Sequence, residues 1–259
     1  MNNYRGYIFD LDGTLYRGEQ AIPGAPETVR QLREQGCQTV FISNKPLQQR
    51  TSYAAKLTRL GIPATPEDVI TSAFVLGRRL AQEVSGARLY VIGEPPLLEE
   101  LAHFGLQITD GSGVVDFVVA AFDRTFDYQK LNLAFQAIRQ GARFVATNAD
   151  PTCPVEGGEI PDAGAVIGAL EGCTGKRVEW VAGKPSPAMI EAGLARMGLQ
   201  AGECLVVGDR LQTDIVMGRR AGVATALVLT GVTRREDLRD ALCQPDYVLE
   251  SVAELIVSS

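Results

Sequence analysis

The sequence lacks the features that mark secreted, membrane-spanning and nucleic-acid-binding proteins. Its five cysteines are odd in number among 259 residues and contain no C-x-x-C pair, so neither a disulfide framework nor a zinc site is indicated. No apolar run reaches the roughly 18–20 residues that a membrane-spanning helix needs, and the first ten residues contain no signal-peptide core. The net charge of −6 disfavours nucleic acid or an anionic membrane as a partner. We therefore expect a cytoplasmic protein.

Short apolar segments alternate with amphipathic ones along the chain. The strand-like "YIFD" precedes the helix-like "APETVRQLREQG", and "ECLVVGD" precedes "DIVMGRRAG". Several further pairs, such as "CQTVFIS" before "LQQRTSYAAKLTRLG", repeat this order. Strands and helices in alternation predict an α/β fold, in which crossover helices join parallel strands.

Polar side chains follow four of the predicted strands, at the point where each strand ends. In chain order they are Asp10 and Asp12, Ser43 and Asn44, Lys184, and Asp209 with Asp214 shortly after it. Ligands of open parallel sheets bind outside the carboxyl ends of the strands. Carboxylates, a hydroxyl and a lysine are the groups that a magnesium ion and a phosphate require. Taken singly, "DLDGT" could be a turn, Ser43 a helix cap and Lys184 a solvated loop residue.

Together these segments resemble the motifs of the haloacid dehalogenase superfamily of phosphohydrolases. Its D-x-D-G-T motif matches residues 10–14, and its hydroxyl motif matches Ser43-Asn44. Its lysine motif matches "GKPSP" at 183–187, and its acidic motif matches "GDRLQTD" at 208–214. The resemblance runs from about residue 5 to the C-terminus.

The spacing of these motifs indicates an inserted domain. Only 33 residues separate Asp10 from Ser43, whereas 141 separate Ser43 from Lys184. The family places its larger, C2-type cap in the second interval, and "ATNADPTCP" with "PDAGAVIGALE" resembles the type IIA branch, which is NagD-like and para-nitrophenylphosphatase-like. The resemblance implies a Rossmann-like doubly wound parallel sheet core over 1–79 and 180–259. An α/β cap over 80–179 would select the substrate.

The resemblance also implies roles for the acidic residues. Asp10 would be the nucleophile that forms an aspartyl-phosphate, and Asp12 would exchange a proton with the leaving alcohol and the hydrolytic water. Magnesium would be held by Asp10, Asp209 and the backbone carbonyl of Asp12. Asp214 would lie behind these ligands and orient a metal-bound water or the lysine.

Further residues are implied for phosphate binding and substrate choice. The phosphate-binding candidates are Ser43, Asn44 and Lys184. The candidates for substrate specificity are Lys45, Asn148 and Asp150. The usual hydroxyl motif is Thr-Asn-Asn, so Lys45 is a departure that adds a cation. Asn148 and Asp150 lie in "TNADPTCP", which resembles the substrate-facing loop of the cap, although both could instead shape a proline-rich turn.

The predicted function is that of a magnesium-dependent hydrolase of small phosphomonoesters, with sugar phosphates as the expected class. Nucleotides, pyridoxal phosphate and glycerol or glycolate phosphate are alternative substrates, and para-nitrophenyl phosphate is an expected artificial one. A phosphomutase or a non-enzymatic phospho-accepting domain would use a similar set of residues. Caps of this type often mediate dimers, so a homodimer is possible.

Overall fold

A computed structural model of the chain describes residues 4–155 and 157–256. The chain divides into two compact units. The first comprises the residues up to Ser43, Arg50–Ile70 and the residues from Lys184 onward, and the second comprises Asn44–Gln49 and Thr71–Gly183. The sequence placed the two boundaries at 79/80 and 179/180, which would have cut through a helix at the first boundary. None of the described helices is long and apolar enough to cross a membrane.

Strands and α-helices alternate through most of the described chain, as the sequence predicted. The strands are β1 (Gly6–Asp10), β2 (Tyr16–Arg17), β3 (Gln20–Ala21), β4 (Gln38–Ser43), β5 (Val69–Thr71), β6 (Arg88–Ile92), β7 (Gln107–Ile108), β8 (Phe117–Ala120), β9 (Arg143–Ala146), β10 (Thr152–Val155), β11 (Gly158–Pro161), β12 (Trp180–Val181), β13 (Cys204–Gly208), β14 (Ala224–Val228) and β15 (Tyr247–Leu249). The α-helices are α1 (Ala25–Glu34), α2 (Arg50–Arg59), α3 (Ser72–Glu83), α4 (Pro95–His103), α5 (Tyr128–Arg139), α6 (Ala163–Thr174), α7 (Ala188–Met197) and α8 (Val216–Arg220).

The first unit is built around a six-stranded sheet in the order β15-β14-β13-β1-β4-β5. The pairs that β1 makes with β13 and β4 are parallel, as are those that β14 makes with β13 and β15. Every residue of β1 and β13 is buried. This explains why both strands are continuous apolar runs in the sequence, since central strands of a parallel sheet are covered on both faces.

The packing of β1 brings its last residue to the carboxyl end of the sheet. The rings of Phe9 on β1 and Phe41 on β4 are both fully buried, and their centroids are 6.4 Å apart. Burying such a ring stabilises a fold by about 1.5–3 kcal/mol, so these two side chains fix the register of the strands. In that register Asp10 lies beside Ile42, and Ser43 follows on the neighbouring strand. The apolar core therefore positions the polar residues that come directly after it.

The second unit has a sheet and a core of its own. Its five strands are in the order β12-β9-β8-β6-β7, and neighbouring strands pair in parallel. Val118, Phe144 and Ile138 are among the buried residues between this sheet and its helices. The antiparallel hairpin of β10 and β11 precedes α6. The α/β fold class with parallel sheets is thus confirmed in both units.

Candidate active site

Asp10 is the final residue of β1 and is 9% exposed. Its carboxylate forms an ion pair with the ammonium of Lys184, and Thr14 Oγ1 donates a hydrogen bond to Oδ2 at 3.4 Å. Burial raises the pKa of Asp10 to about 7; Lys184 opposes this shift, while Asp214 and Asp209 add to it. Asp10 is therefore a buried carboxyl whose charge depends on a neighbouring cation.

Lys184 is the first residue of the last segment of this unit and is 5% exposed. Its Nζ lies 2.7 Å from Asp214 Oδ1, in addition to its ion pair with Asp10. Burial acts to lower the pKa of Lys184, but the charges of Asp10 and Asp214 raise it above its ordinary value. The lysine therefore stays protonated between two carboxylates.

Asp209 and Asp214 come from the segment that follows β13. Asp209 is 1% exposed, and its Oδ2 accepts a hydrogen bond from the N–H of Val232 at 2.7 Å. Burial, followed by the charge of Asp214, raises the pKa of Asp209 to about 6. Asp214 is also 1% exposed and lies in a π-helical turn, Leu211–Ile215, where its Oδ2 accepts from the Arg210 N–H at 3.1 Å. Such widened turns occur often at functional sites.

Three carboxylates converge in this unit at the carboxyl end of its sheet. Asp10, Asp209 and Asp214 each offer an oxygen, and these oxygens all lie within 4.8 Å of one another. Lys184 is the cation beside them, so the buried cluster contains three carboxylates and one ammonium group. Carboxylate oxygens are the ligands that Mg²⁺ prefers, and a divalent cation would balance this excess charge, so the residues present fit that metal.

The other predicted residues of this unit lie on the neighbouring segments. Ser43 ends β4, is 7% exposed, and its hydroxyl lies 3.5 Å from that of Tyr53. Asp12 is exposed in the turn after β1, where its backbone forms an isolated β-bridge with that of Tyr16. The two aspartates of "FDLDGT" thus differ sharply: Asp10 is buried and ion-paired, whereas Asp12 faces solvent.

The remaining predicted residues form a polar cluster within the second unit. Asn148 is 1% exposed, and its Nδ2 donates to Asp150 Oδ2 at 2.9 Å and to Asp162 Oδ1 at 3.0 Å. Asn44 Nδ2 donates to the same Asp150 oxygen at 2.7 Å. Thr147 completes the set by donating from its hydroxyl to Asn148 Oδ1 at 2.8 Å. Asn148 therefore holds two carboxylates together, and Asn44 donates to one of them.

Lys45 acts on the same cluster through its charge. Burial raises the pKa of Asp162, and the positive charge of Lys45 is one of the influences that lower it. The carboxylate of Asp162 also accepts the first N–H of α6, from Ala163 at 2.5 Å. Asp162 was not among the predicted residues; its position directly before the helix-like "AGAVIGALE" was the available signal.

Sequence reasoning also missed Val232, whose backbone N–H holds Asp209. This contact is made by the main chain 23 residues beyond the carboxylate, and a backbone donor has no residue type that would reveal it. The only signal was the glycine that ends "ATALVLTG", directly before Val232.

Comparison with known proteins identifies the family. Residues 7–107 match the model of the haloacid dehalogenase-like hydrolases, and residues 181–255 match a second, HAD-hydrolase-like model. A 5'-nucleotidase of Bacillus subtilis is 38% identical over 99% of both chains. A sugar-phosphatase of the same bacterium is 39% identical over 96% of this chain and 91% of its own.

Solved structures give the same result. A p-nitrophenyl phosphatase from Archaeoglobus fulgidus has a TM-score of 0.93 at 34% identity and covers 98% of both chains. NagD from Escherichia coli K-12 has a TM-score of 0.89 at 32% identity over 97% of this chain and 98% of its own. A glycerol phosphate phosphatase from Mycobacterium tuberculosis, solved in complex with magnesium, has a TM-score of 0.90 at 37% identity over 98% of this chain and 76% of its own.

The chain therefore belongs to the haloacid dehalogenase-like hydrolases. Within them it falls in the branch of NagD and the p-nitrophenyl phosphatases, as "ATNADPTCP" and "PDAGAVIGALE" predicted. The predictions of the family and of an enzyme of the phosphatase type are confirmed.

Proposed function

We propose that this chain is a magnesium-dependent phosphomonoester hydrolase that acts on a small phosphorylated metabolite, with sugar phosphates as its substrate class. The observation that supports this most strongly is the buried cluster of Asp10, Asp209, Asp214 and Lys184 at the end of the central strands. A phosphoryl group needs a nucleophile, cations and hydrogen-bond donors, and this cluster offers the first two within one unit.

Asp10 is the proposed nucleophile. One of its oxygens forms a bond to phosphorus while the bond to the ester oxygen breaks, and a second displacement by water returns the free carboxylate and releases phosphate. Attack requires the ionised form, and burial raises the pKa of Asp10 to about 7. Lys184 counters that shift through its ion pair, so it keeps a useful fraction of Asp10 charged at neutral pH.

Asp12 is the proposed acid and base. It donates a proton to the leaving alcohol in the first displacement and takes one from the attacking water in the second. Its exposure supports this role, because a carboxyl that is open to solvent can reach the leaving alcohol and then the water that replaces it. Asp10 is less suited to this role, because it is buried and ion-paired.

Magnesium would be held by Asp10, Asp209 and the backbone carbonyl of Asp12, with Asp214 beside them. When bound, the ion supplies positive charge that offsets the repulsion between an anionic nucleophile and an anionic phosphate. Lys184 and the hydroxyl of Ser43 are the proposed donors to the phosphoryl oxygens. Asn44, the third predicted phosphate ligand, stays a prediction from the sequence motif.

The cap residues are proposed to choose the substrate. We assign the cap to the second unit and specificity to Lys45, Asn148 and Asp150. The relatives act on different small phosphates by name, namely a nucleotide, a sugar phosphate and glycerol phosphate. The carboxylate of Asp150 accepts hydrogen bonds and repels anions, which favours a substrate with hydroxyl groups over one with a second phosphate. A cytoplasmic location and a homodimer also stay predictions from the sequence.

A phosphate-release screen tests the proposal. The purified chain is assayed with sugar phosphates, nucleoside monophosphates, pyridoxal phosphate, glycerol phosphate and para-nitrophenyl phosphate, each in magnesium and in EDTA. We expect many turnovers per enzyme in magnesium, with the highest kcat/KM for a sugar phosphate. A single stoichiometric labelling without turnover would instead indicate a phospho-accepting domain, and inactivity on every phosphomonoester would contradict the proposal.

A further inference from the structure

The segment that follows β14 contacts both Asp209 and the loop after β1. Leu229 donates its N–H to the carbonyl of Leu249, which fixes the start of the segment to β15. Thr230 Oγ1 then donates to the carbonyl oxygen of Gly13 at 2.7 Å. Gly13 lies between Asp12 and Thr14 in the loop after β1, so this hydroxyl fastens the loop that carries Asp12.

The same segment holds the carboxylate of Asp209. The N–H of Val232 donates to Asp209 Oδ2 at 2.7 Å, and the N–H of Thr233 donates to the carbonyl of Asp209 at 3.2 Å. The hydroxyl of Thr233 in turn accepts from the N–H of Leu211 at 3.4 Å. Side chain and main chain of Asp209 are thus both fixed by one short run of residues.

Gly231 explains how the segment approaches so closely. A Cβ at this position would lie 1.9 Å from Asp209 Oδ2, which no real contact permits. Gly13 is subject to the same restriction, since its Cβ would lie 2.6 Å from that oxygen, and its φ of +90° also favours glycine. The carboxylate of Asp209 is therefore enclosed between two glycines, one in each of the two loops.

We propose that the segment Thr230–Thr233 is a positioning element of the catalytic centre, and that Thr230 sets the loop bearing Asp12 against the metal-binding carboxylate of Asp209. The inference rests on the proposed function, because it assigns Asp209 to the metal and Asp12 to proton transfer. One hydroxyl joins the two loops, so its loss changes the geometry of metal binding and of proton transfer together. Groups that orient metal ligands typically alter metal affinity or activity by about 10–100-fold when they are replaced.

The test compares Thr230→Val with Thr230→Ser. Valine keeps the shape of threonine but cannot donate to Gly13, whereas serine retains the hydroxyl. Three quantities are measured: the magnesium Kd, fitted from the rise in melting temperature without substrate, and kcat and KM for para-nitrophenyl phosphate. We expect Thr230→Val to need about 10-fold more magnesium and to lose about 10-fold in kcat with little change in KM, while Thr230→Ser stays within about threefold of wild type.

Thr109→Val is the matched control. Thr109 also donates from a partly buried hydroxyl to a backbone carbonyl, that of Leu89 at 3.1 Å, but in the second unit. Its substitution should lower the melting temperature and leave the magnesium response unchanged. If Thr230→Val behaves like this control, Thr230 has a structural role only and the inference is wrong.

The outcome also separates this inference from the proposed function. A wild-type protein with neither a magnesium response nor activity overturns both. If the wild type is active and responds to magnesium, and Thr230→Val has the same magnesium affinity and kinetic constants, the inference alone is overturned. Gly231→Ala gives an independent check: provided that its circular dichroism spectrum is native, it should lose the magnesium response more completely than Thr230→Val, and an unchanged response would contradict the close approach to Asp209.

Discussion

Replacing Asp209 by asparagine removes one charge from the buried cluster while it keeps the shape of the side chain. In the wild type, Asp10, Asp209 and Asp214 share a single lysine as their cation. Asparagine still offers an oxygen to the N–H of Val232, which lies 2.7 Å from the present carboxylate. We therefore expect Asp209→Asn to make the metal-free protein more stable, although it removes a proposed metal ligand.

The magnitude follows from the pKa of Asp209, which burial and Asp214 raise from 3.8 to about 6. Each unit is worth about 1.4 kcal/mol, so the charged form costs the fold about 3 kcal/mol above pH 6. A hydrogen bond to a carboxylate is stronger than one to an amide by about 1 kcal/mol, which leaves a net gain of about 2 kcal/mol. For a chain of this size that gain is a rise in melting temperature of about 4–8 °C.

The sign of the pH dependence follows from the same shift. The folded protein holds the proton of Asp209 up to about pH 6, whereas the unfolded chain releases it near 3.8, so the cost of the charge grows as the pH rises between these values. The gain from Asp209→Asn should therefore be large at pH 8 and smaller at pH 5.

The assay is thermal unfolding in EDTA and in excess magnesium, with Asp240→Asn as a control that removes an exposed carboxylate of the same unit. At one hundred times its Kd, magnesium should stabilise the wild type and the control by about 2.7 kcal/mol, and their melting temperatures should rise accordingly. Asp209→Asn should melt at a higher temperature than wild type in EDTA, and magnesium should raise that temperature only slightly. A variant that melts lower than wild type in EDTA, yet still responds fully to magnesium, would refute the account of the cluster.

Four further substitutions test other parts of the proposed site. Asp12→Asn should lower kcat by about 10²–10⁴-fold with the phosphoenzyme still formed, whereas Asp10→Asn should abolish both; equal and small effects on phosphate release would argue against the two roles. Lys184→Met should lower the free energy of unfolding in urea by about 3–5 kcal/mol. The loss should be greater at pH 8 than at pH 6, because without the lysine Asp10 is protonated more readily as the pH falls. A loss independent of pH would contradict this. Asn148→Leu should cost about 1–3 kcal/mol by the same measurement, because Asp150 loses a buried amide donor, and an unchanged stability would show that this contact is dispensable.

Much of the first unit could be predicted from the sequence because its features are local. The apolar run before Asp10 is the central strand β1, and all five of its residues are buried. The convergence of Asp10 and Asp209 follows from one rule of parallel sheets, since they follow β1 and β13, which are neighbours in one sheet. Lys184 does not follow from that rule, because the strand before it, β12, belongs to the sheet of the second unit.

Other features depend on contacts between distant segments and left no local pattern. Asn44 bonds to Asp150, which lies 106 residues further along the chain. The predicted helix "DIVMGRRAG" begins inside a π-helical turn that places Asp214, and no periodicity distinguishes such a turn from an ordinary helix start. Val232 donates its hydrogen bond to Asp209 through the backbone N–H. Sequence patterns report side-chain type and spacing, so main-chain contacts of this kind escape them.

The most direct test of the proposed mechanism is to locate the phosphoryl group during turnover. The wild type and Asp12→Asn are mixed with a labelled phosphomonoester in magnesium, quenched in acid, digested and analysed by mass spectrometry. The account predicts a phosphorylated peptide whose modified residue is Asp10, accumulating most in Asp12→Asn and absent from Asp10→Asn. Steady phosphate release by an enzyme that never carries phosphate on Asp10, or carries it on another residue, would contradict it.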